Sequence, residues 1–466
     1  MIELWDFQEI LGTSARKALR KVLSVLVVLP TGGGKSIITA WMVKNAIAKG
    51  NTAYFCVHRK DLVTQMSGTF REFEIPFGYI AAGRKYNPFQ PVQICSIQTL
   101  RNRLDKVPAP NILIVDEAHF SCSKTYSEII DLYESKGTFI IGKTATPWRL
   151  SGEGLARHFK EMVVGPSVRE LMDRGFLSKY KFYAPSKPDL SKTHSRMGDF
   201  VKEEIEEVMD RKTITGDAVK HYQKYAMNKK AVAFCVSIKH SQHVAESFRA
   251  AGIMALHVDG KTPHADRMKA FNAFADGEIK VLTSVAIFSE GLDLAALVGR
   301  EVCIEAAILL RPTQSLSLFL QQVGRALRRK LEPAIILDHA GNYLRHGLPD
   351  DDREWTLSGR KKGKKKEEEA AVQVRQCPEC YAVHKPAPIC PECQYKYPIQ
   401  SREVEENDGD LEELNVEEIR RQKRKEQGGA NSIEQLIALG KARGYKNPAS
   451  WARHVFNGRK AKQMAG

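Results

Sequence analysis

The 466-residue sequence lacks any apolar run long enough to cross a membrane. Its most apolar stretch is VLSVLVVLP at 22–30, whereas a membrane-spanning helix needs about 20 consecutive apolar residues. The first residues also lack a secretory signal, because Glu3 and Asp6 stand where such a signal carries basic residues. These absences argue against a membrane protein and predict a soluble protein of the cytoplasm.

Acidic residues are scarce relative to basic ones. The chain has 71 lysines and arginines against 55 aspartates and glutamates, so its formal net charge is +16. Such an excess favours a polyanionic partner, and nucleic acid is the first candidate. A chain of this length, with 43% hydrophobic residues, is expected to form about three domains with their own cores.

Cysteines are sparse over most of the chain and are concentrated in one segment. Five of the nine are isolated, which argues against a disulfide framework and favours a reducing compartment. The other four form two CxxC pairs separated by nine residues. Paired turns of this kind place four thiolates tetrahedrally, whereas a redox dithiol needs only one pair. We predict a structural zinc site formed by Cys377, Cys380, Cys390 and Cys393.

Short β-branched runs alternate with helix-compatible stretches up to about residue 340. This α/β pattern predicts parallel strands that are buried on both faces. The runs form two successive series, which predict two tandem α/β domains at 1–165 and 166–345. The first series lies at 25–30, 53–58, 92–97, 112–117 and 139–147, and the second at 231–237, 253–260, 280–285, 301–307 and 334–340.

The first apolar run leads into PTGGGKS at 30–36 and then into a helix-compatible stretch. Glycines allow backbone N–H groups to surround phosphate oxygens, and the N-terminus of the following helix adds positive potential. Lys35 is then expected to reach the outer phosphates of a nucleotide, and Ser36 to ligate magnesium. The predicted phosphate loop consists of Thr31, Gly32, Gly33, Gly34, Lys35 and Ser36.

The run ILIVDEAH at 112–119 ends a buried strand on two adjacent carboxylates. A phosphate loop needs a magnesium ligand and a water activator on a neighbouring strand end. Asp116 suits the first role, and Glu117 would orient and deprotonate the attacking water. Because successive strand side chains point to opposite faces, the pair is expected where the strand ends and its backbone turns.

The segments GGGKS, DEAH at 116–119 and TATP at 144–147 resemble motifs I, II and III of the superfamily 2 helicases. The resemblance covers roughly residues 3–342 and implies two RecA-like domains with ATP between them. The four-cysteine module after them is similar to that of the RadD-like group of bacterial and phage repair helicases. Other family motifs are matched in order by segments at 58–65, 96–100, 233–240, 283–293 and 321–328.

The resemblance assigns further residues to the nucleotide site. Arg325 and Arg328, which a helix would present on one face, would meet the γ-phosphate from the second domain. Phe7 and Gln8 match the family's adenine-reading pair, and Gln8 would bind the base through its amide. The family further implies the cleft residues Gln321, Gly291 and Asp293, and coupling residues His119, Thr144 and Thr146.

By the same resemblance, nucleic acid crosses both domains opposite the nucleotide loops. Its backbone would be contacted by Arg59, Gln98, Thr99 and Thr283. Phosphate contacts position the polymer without reading its sequence, as a translocating enzyme requires. DNA is the expected polymer, because the HRxGR form of motif VI that is frequent in RNA helicases reads QQVGR here.

The chain after residue 345 changes composition. We predict a charged linker at 346–375, a zinc ribbon at 376–398 and a charged helical tail at 399–466. The last segment, 431–466, has seven lysines and arginines against one acid, with interleaved aromatic residues. This pattern suits a contact with nucleic acid or with a replication or repair protein, and equally a helical hairpin docked on the body by its aromatics.

The sequence therefore predicts an ATP-dependent DNA helicase or translocase of replication, recombination or repair. Its predicted cofactors are ATP, Mg²⁺ and structural Zn²⁺. The alternatives are an RNA helicase, a remodelling ATPase that never separates strands, and an ATP-gated loader or scaffold. The predicted catalytic set of Lys35, Glu117, Arg325 and Arg328 argues against a passive module.

Overall fold

The computed structural model describes residues 3–149, 152–185, 188–191, 193–196, 199–285, 294–359, 374–398, 416–445 and 447–464. The chain divides into two compact units, Met1–Tyr397 and Pro398–Gly466. The first unit contains two parallel sheets and the cysteine segment, and the second is helical. None of the helices in the described ranges is long and apolar enough to span a membrane.

Seven strands of the described chain form the first sheet, which is parallel throughout. They are β1 (Ser24–Val28), β2 (Ala53–Val57), β3 (Phe77–Ile80), β4 (Val92–Ser96), β5 (Ile112–Asp116), β6 (Phe139–Thr144) and β7 (Glu161–Val164), in the order β3-β4-β2-β5-β6-β1-β7. The accompanying helices are α1 (Asp6–Ala18), α2 (Lys35–Ile47), α3 (Lys60–Glu72), α4 (Ile97–Arg101), α5 (Lys124–Ser135) and α6 (Val168–Asp173). Every side chain of β1 and β2 is buried, as expected for central parallel strands.

The second sheet contains six parallel strands of the described residues. They are β8 (Tyr180–Tyr183), β11 (Ala231–Phe234), β12 (Ala255–His257), β13 (Val281–Ser284), β14 (Ala306–Leu309) and β15 (Ala334–Asp338), in the order β12-β13-β11-β14-β15-β8. A small antiparallel pair, β9 (Ser195–Arg196) and β10 (Asp199–Phe200), precedes α7. The helices are α7 (Lys202–Met209), α8 (Lys212–Tyr225), α9 (Ile238–Ala250), α10 (His264–Asp276), α11 (Leu294–Val298), α12 (Leu316–Ala326) and α13 (Tyr343–His346).

The predicted fold class, two tandem RecA-like α/β domains, is confirmed. The strand predicted at 301–307 is displaced and forms at Ala306–Leu309, because Val302 and Ile304 pack into the core before the chain enters the sheet. Within the two large sheets, three described strands, β3, β7 and β8, were not predicted. All three lie at sheet edges, where partial exposure removes the continuous apolar signal of a central strand.

The chain crosses between the two sheets more than once. It first passes from β7, which pairs with β1, to β8, which pairs with β15. Residues 348–359, here called the return segment, begin in the second core at Leu348 and then lie on the first domain. The Ala156 N–H donates to the Leu357 carbonyl (3.0 Å), and Trp148 Nε1 donates to the Thr356 carbonyl (2.9 Å). This part of the chain was predicted as a charged linker, but its apolar residues Trp355 and Leu357 pack on the first core.

The cysteine segment covers the edge of the second sheet. It contains the short antiparallel pair β16 (Arg375–Gln376) and β17 (Val383–His384). The Ala184 N–H, just after edge strand β8, donates to the Tyr381 carbonyl (3.0 Å), and Lys181 forms an ion pair with Glu392 (2.7 Å). An uncovered edge strand offers unpaired backbone groups to other chains, so this segment completes the second domain.

The second unit consists of α14 (Val416–Gly429), α15 (Ile433–Ala442) and α16 (Pro448–Met464). Leu436 and Ala452 are fully buried between helices, and Trp451 and Phe456 pack against them. A Cβ at Gly440 would lie 3.1 Å from Trp451, so α15 and α16 approach closely at that point. Trp451 and Phe456 are therefore partly buried against the small core of this unit.

Gly142→Ala should destabilise the first domain. A Cβ on this β6 residue would lie 2.3 Å from Cζ of Phe159, which is fully buried, so the core would be overpacked. We expect the free energy of unfolding to fall by about 1–3 kcal/mol, measured by urea unfolding. Gly68→Ala in α3, where a Cβ meets no atom within 4 Å, is the matched control. Equal stability of the two variants would contradict this account of the packing.

Candidate active site

The phosphate loop connects β1 to the N-terminus of α2 and depends on its glycines. Gly32 and Gly34 have φ angles of +88° and +86°, a backbone region that residues other than glycine rarely adopt. A Cβ at Gly34 would also lie 2.3 Å from Nε2 of Gln8. The loop is therefore shaped by conformations and close approaches that glycine alone permits, as the predicted nucleotide site requires.

Lys35, the first residue of α2, is held inside the loop. Its Nζ donates to the carbonyls of Leu29 (3.0 Å) and Pro30 (3.3 Å). Burial lowers the pKa of Lys35 to about 8, although the carboxylates of Glu117 and Asp116 favour its charged form. The ammonium group is thus already desolvated and positioned beside the two acids.

The two carboxylates sit at the carboxyl end of β5, at a sharp backbone turn. Glu117 has φ +48°, the left-handed region, and its N–H donates to Asp116 Oδ1 (3.0 Å). The expectation that the pair lies where the strand ends and turns agrees with this geometry. A left-handed residue other than glycine carries strain, and such residues cluster at functional sites.

Glu117 is only 5% exposed and is contacted from both domains. His119 Nδ1 lies 3.3 Å from Glu117 Oε2, and Gln321 Nε2 of α12 donates to the same oxygen (3.4 Å). Burial by itself raises the pKa of Glu117. The hydrogen bond and charge of His119, with the charges of Lys35 and Arg325, outweigh burial and lower the pKa to about 2. Glu117 is therefore ionised throughout the neutral pH range.

A chain of polar contacts connects these acids to the second domain. His119 Nδ1 lies 3.3 Å from Thr144 Oγ1, which donates to the Thr146 carbonyl (2.8 Å). Thr146 Oγ1 in turn donates to Ser317 Oγ on α12 (2.6 Å). The structure thus brings together all three predicted coupling residues. Ser317 was not predicted, and its position four residues before Gln321 on the same helix is the sequence signal that could have identified it.

The two predicted arginines occupy different structural positions. Arg325 lies in α12, is 4% exposed, and acts electrostatically on Lys35 and Glu117. Arg328 was predicted on the same helical face, but α12 ends at Ala326 and Arg328 forms a bridge with Leu177 beyond the helix. Both still lie near the phosphate loop. A Cβ placed on Gly32 would lie 3.9 Å from Cγ of Arg328, and the charge of Arg325 acts on Lys35.

The predicted adenine-reading pair also contacts the phosphate loop. Gln8 Nε2 donates to the Gly33 carbonyl (3.1 Å), and Gln8 Oε1 accepts from the Trp5 N–H (3.1 Å). Phe7 is buried against the ring of Phe176, with centroids 5.0 Å apart. A hydrogen bond thus ties Gln8 to the phosphate loop, whereas Phe7 is a core residue. The two other predicted cleft residues, Gly291 and Asp293, lie outside the described residues.

A basic cleft of about 650 Å³ opens between the start of α3 and the second domain. Arg59, a predicted nucleic-acid contact, lines it. Gln98 is exposed and Thr99 half-buried on α4, but Thr283 is fully buried and donates to the Ser241 carbonyl (2.7 Å), so a polymer on the surface cannot reach it. Lys60, beside Arg59 in the matched segment 58–65, also lines this cleft. Three further basic residues lie outside the matched segments and come together only through folding: Lys202, Lys261 and Arg267, the last of which pairs with Asp61 (2.7 Å).

The donor atoms present fit the two predicted metals. Asp116 offers carboxylate oxygens and Ser36 a hydroxyl, and Mg²⁺ prefers such hard oxygen ligands. In the cysteine segment the four sulfurs lie within 4.8 Å of one another, and two pairs of them are 3.6 and 3.7 Å apart. Tetrahedral Zn–S bonds of about 2.3 Å require sulfur separations of about 3.8 Å, so these thiols are suitably spaced for zinc.

Two family models match the chain. The model described as the res subunit of type III restriction enzymes matches residues 2–149, and the helicase conserved C-terminal domain matches residues 215–330. Together the two matches span the phosphate loop, the DEAH acids and the motif VI helix. The matched regions contain β1 to β6 of the first sheet and β11 to β14 of the second.

Three relatives cover most of this chain. A 51.5 kDa protein of a Lactococcus phage is 35% identical over 375 residues, 80% of this chain and 78% of the relative. The candidate ATP-dependent helicase IRC3 of Saccharomyces cerevisiae is 29% identical over 65% of this chain and 46% of its own length. The DNA 3'-5' translocase XPB2 of Sulfurisphaera tokodaii is 24% identical over 72% of this chain and 81% of its own.

A solved structure supports the fold. A candidate HsdR subunit fragment of a type I restriction enzyme from Vibrio vulnificus superposes with a TM-score of 0.57 at 18% identity, over 73% of this chain and 65% of the fragment. This chain therefore belongs to the superfamily 2 helicases, which are nucleic-acid-dependent ATPases.

Proposed function

We propose that this helicase-family ATPase is a DNA helicase or translocase that couples ATP hydrolysis between its two domains to movement along DNA. The observation that carries the proposal is the contact of one acid, Glu117, with residues of both domains. A change at the nucleotide thereby alters the contacts that hold the domains together. DNA would bind in the basic cleft between the same two domains, so a movement of the domains would act on it.

Hydrolysis would follow from the positions of four side chains. Lys35 would turn from the loop carbonyls to the nucleotide phosphates, and Ser36 and Asp116 would hold Mg²⁺, which neutralises phosphate charge. Glu117 would orient the attacking water by accepting its hydrogen bond. It is also the residue that would accept the proton of that water.

The second domain would complete the nucleotide site and would respond to the presence of the γ-phosphate. Arg325 and Arg328 would stabilise the charge that develops on the γ-phosphate, as arginine fingers do. Gln321 would move with Glu117 because the two side chains are hydrogen-bonded. The Thr146–Ser317 hydrogen bond would couple movement of α12 to the first domain. The wedge that would separate strands is not part of this proposal, so translocation without unwinding is included in it.

DNA is the proposed polymer, and repair, recombination or replication the proposed setting. The excess of basic residues suits a polyanion, and a relative covering most of this chain bears the name DNA translocase. The four-cysteine module supports the proposed RadD-like group. A protein partner of the helical tail and a cytoplasmic location stay predictions.

Glu117→Gln should abolish ATP turnover while ATP binding is kept. The amide retains the shape of the side chain, but it has no negative charge and only one acceptor oxygen with which to hold the attacking water. We expect kcat to fall by at least about 100-fold with ATP affinity within a few-fold of wild type, measured by steady-state ATPase and fluorescent-nucleotide binding. Glu72→Gln, on the surface of α3, is the control. Near-normal hydrolysis by Glu117→Gln would remove this residue as the water-orienting group.

Charge reversal in the basic cleft should weaken the response to DNA. In Lys202→Glu/Lys261→Glu we expect the DNA concentration for half-maximal ATPase stimulation to rise about tenfold or more. The slope of log affinity against log salt should become shallower by about two, since each phosphate contact contributes slightly less than one. Lys136→Glu, an exposed lysine of the first domain, is the control. Equal stimulation of wild-type protein by RNA and DNA would overturn the choice of polymer.

Zinc content can be measured directly. We expect one zinc per chain by elemental analysis, and Cys377→Ser should lose it and lower the melting temperature of the first unit, because the segment covers the edge strand β8. Cys303→Ser, at an isolated cysteine, should retain the metal. Purified wild-type protein with no zinc, under conditions that retain metals, would contradict the assignment.

A further inference from the structure

We infer that Lys143, one residue before the TATP segment, is a positioning residue that holds Asp116 and limits how tightly the site binds Mg²⁺ with nucleotide. The inference rests on the proposed function and adds a residue to it. Lys143 lies on β6, next to β5, and is the direct register partner of Asp116. A lysine in the sheet interior at that position requires a physical explanation.

The side chain of Lys143 is 4% exposed, and its amine has two partners. Nζ lies 3.5 Å from Asp116 Oδ1 and 4.6 Å from the ring centroid of Phe55. Lys143 and Lys35 line the same small space under α2, whose other lining residues are chiefly apolar. A buried amine is unfavourable unless it is paired, so the ion pair with Asp116 is what holds it there.

The two lysines of this site hold different partners. Lys35 donates to the carbonyls of Leu29 and Pro30, whereas Lys143 pairs with the carboxylate of Asp116. Lys143 is also fixed by the strand register, while Lys35 belongs to the loop that contacts the nucleotide. Lys143 therefore acts as a stationary counter-charge for the acid that is proposed to hold Mg²⁺.

Two consequences follow from a fixed cation behind the metal-binding acid. The ion pair, together with the Glu117 N–H that donates to the same oxygen, restricts the rotamers of Asp116. The positive charge also opposes Mg²⁺ at the same acid, because like charges a few ångströms apart repel even at an intermediate dielectric constant. Lys143 would therefore orient the ligand while preventing the site from retaining Mg²⁺ and ADP after hydrolysis.

Lys143→Met tests this inference, because methionine fills a similar volume without the charge. We measure binding of a fluorescent ADP analogue to the full chain while Mg²⁺ is titrated, which gives a readout independent of turnover. The half-saturating Mg²⁺ concentration should fall about tenfold in Lys143→Met, and ADP release, followed by stopped flow, should slow by a similar factor. Lys143→Arg, which keeps the charge, should stay within about twofold of wild type.

Lys136→Met, which removes an exposed lysine of the same domain, is the matched control and should bind as wild type does. Folding of Lys143→Met is checked by its melting temperature. If the folded variant needs the same or a higher Mg²⁺ concentration for half-saturation than wild type, the inference is overturned. If Lys143→Met does not fold, unequal Mg²⁺ dependence of Lys143→Arg and wild type would overturn it instead. Wild-type protein without Mg²⁺-dependent nucleotide binding would contradict the proposed function itself, so the two failures are distinguishable.

Discussion

The burial of the Glu117 carboxylate is the interaction on which the rest of this structure depends. A charge taken out of water must be paired, and the partners of Glu117 come from both domains: His119 and Lys35 from the first, and Gln321 and Arg325 from the second. Apposition of the domains therefore completes the electrostatic environment of the acid. Under the proposed function, the same contacts would make the cleft sensitive to the nucleotide.

The path of the chain reinforces this apposition. After the second sheet, the return segment packs against the first core, and the cysteine segment then covers edge strand β8 of the second sheet. The return segment and the cysteine segment are thus integral parts of the two-domain unit. Zinc binding would stabilise the second domain directly, because the segment that holds the four thiols also supplies the cover for its sheet edge.

The structure agrees best with the sequence prediction where the predicted site residues form one contiguous segment at the end of a central strand. The phosphate loop and the DEAH turn are local structures whose glycines and acids determine their own backbone, so spacing alone predicted them. Agreement is weaker for residues whose role depends on surroundings. Thr283 belongs to a matched segment but is buried, and Arg328 lies past the end of its helix. Accessibility and helix termination are set by packing, which local spacing does not encode.

The amino-acid sequence by itself determined the two α/β domains, the nucleotide loop, the paired acids and the thiol set, because periodicity and short-range spacing carry that information. Tertiary structure alone decided which distant residues became neighbours. It brought Ser317 to Thr146, Lys143 to Asp116, and Lys202 and Lys261 into one cleft with Arg59. Strand register and domain apposition create these contacts, and both arise from cooperative packing over hundreds of residues, which no single segment specifies.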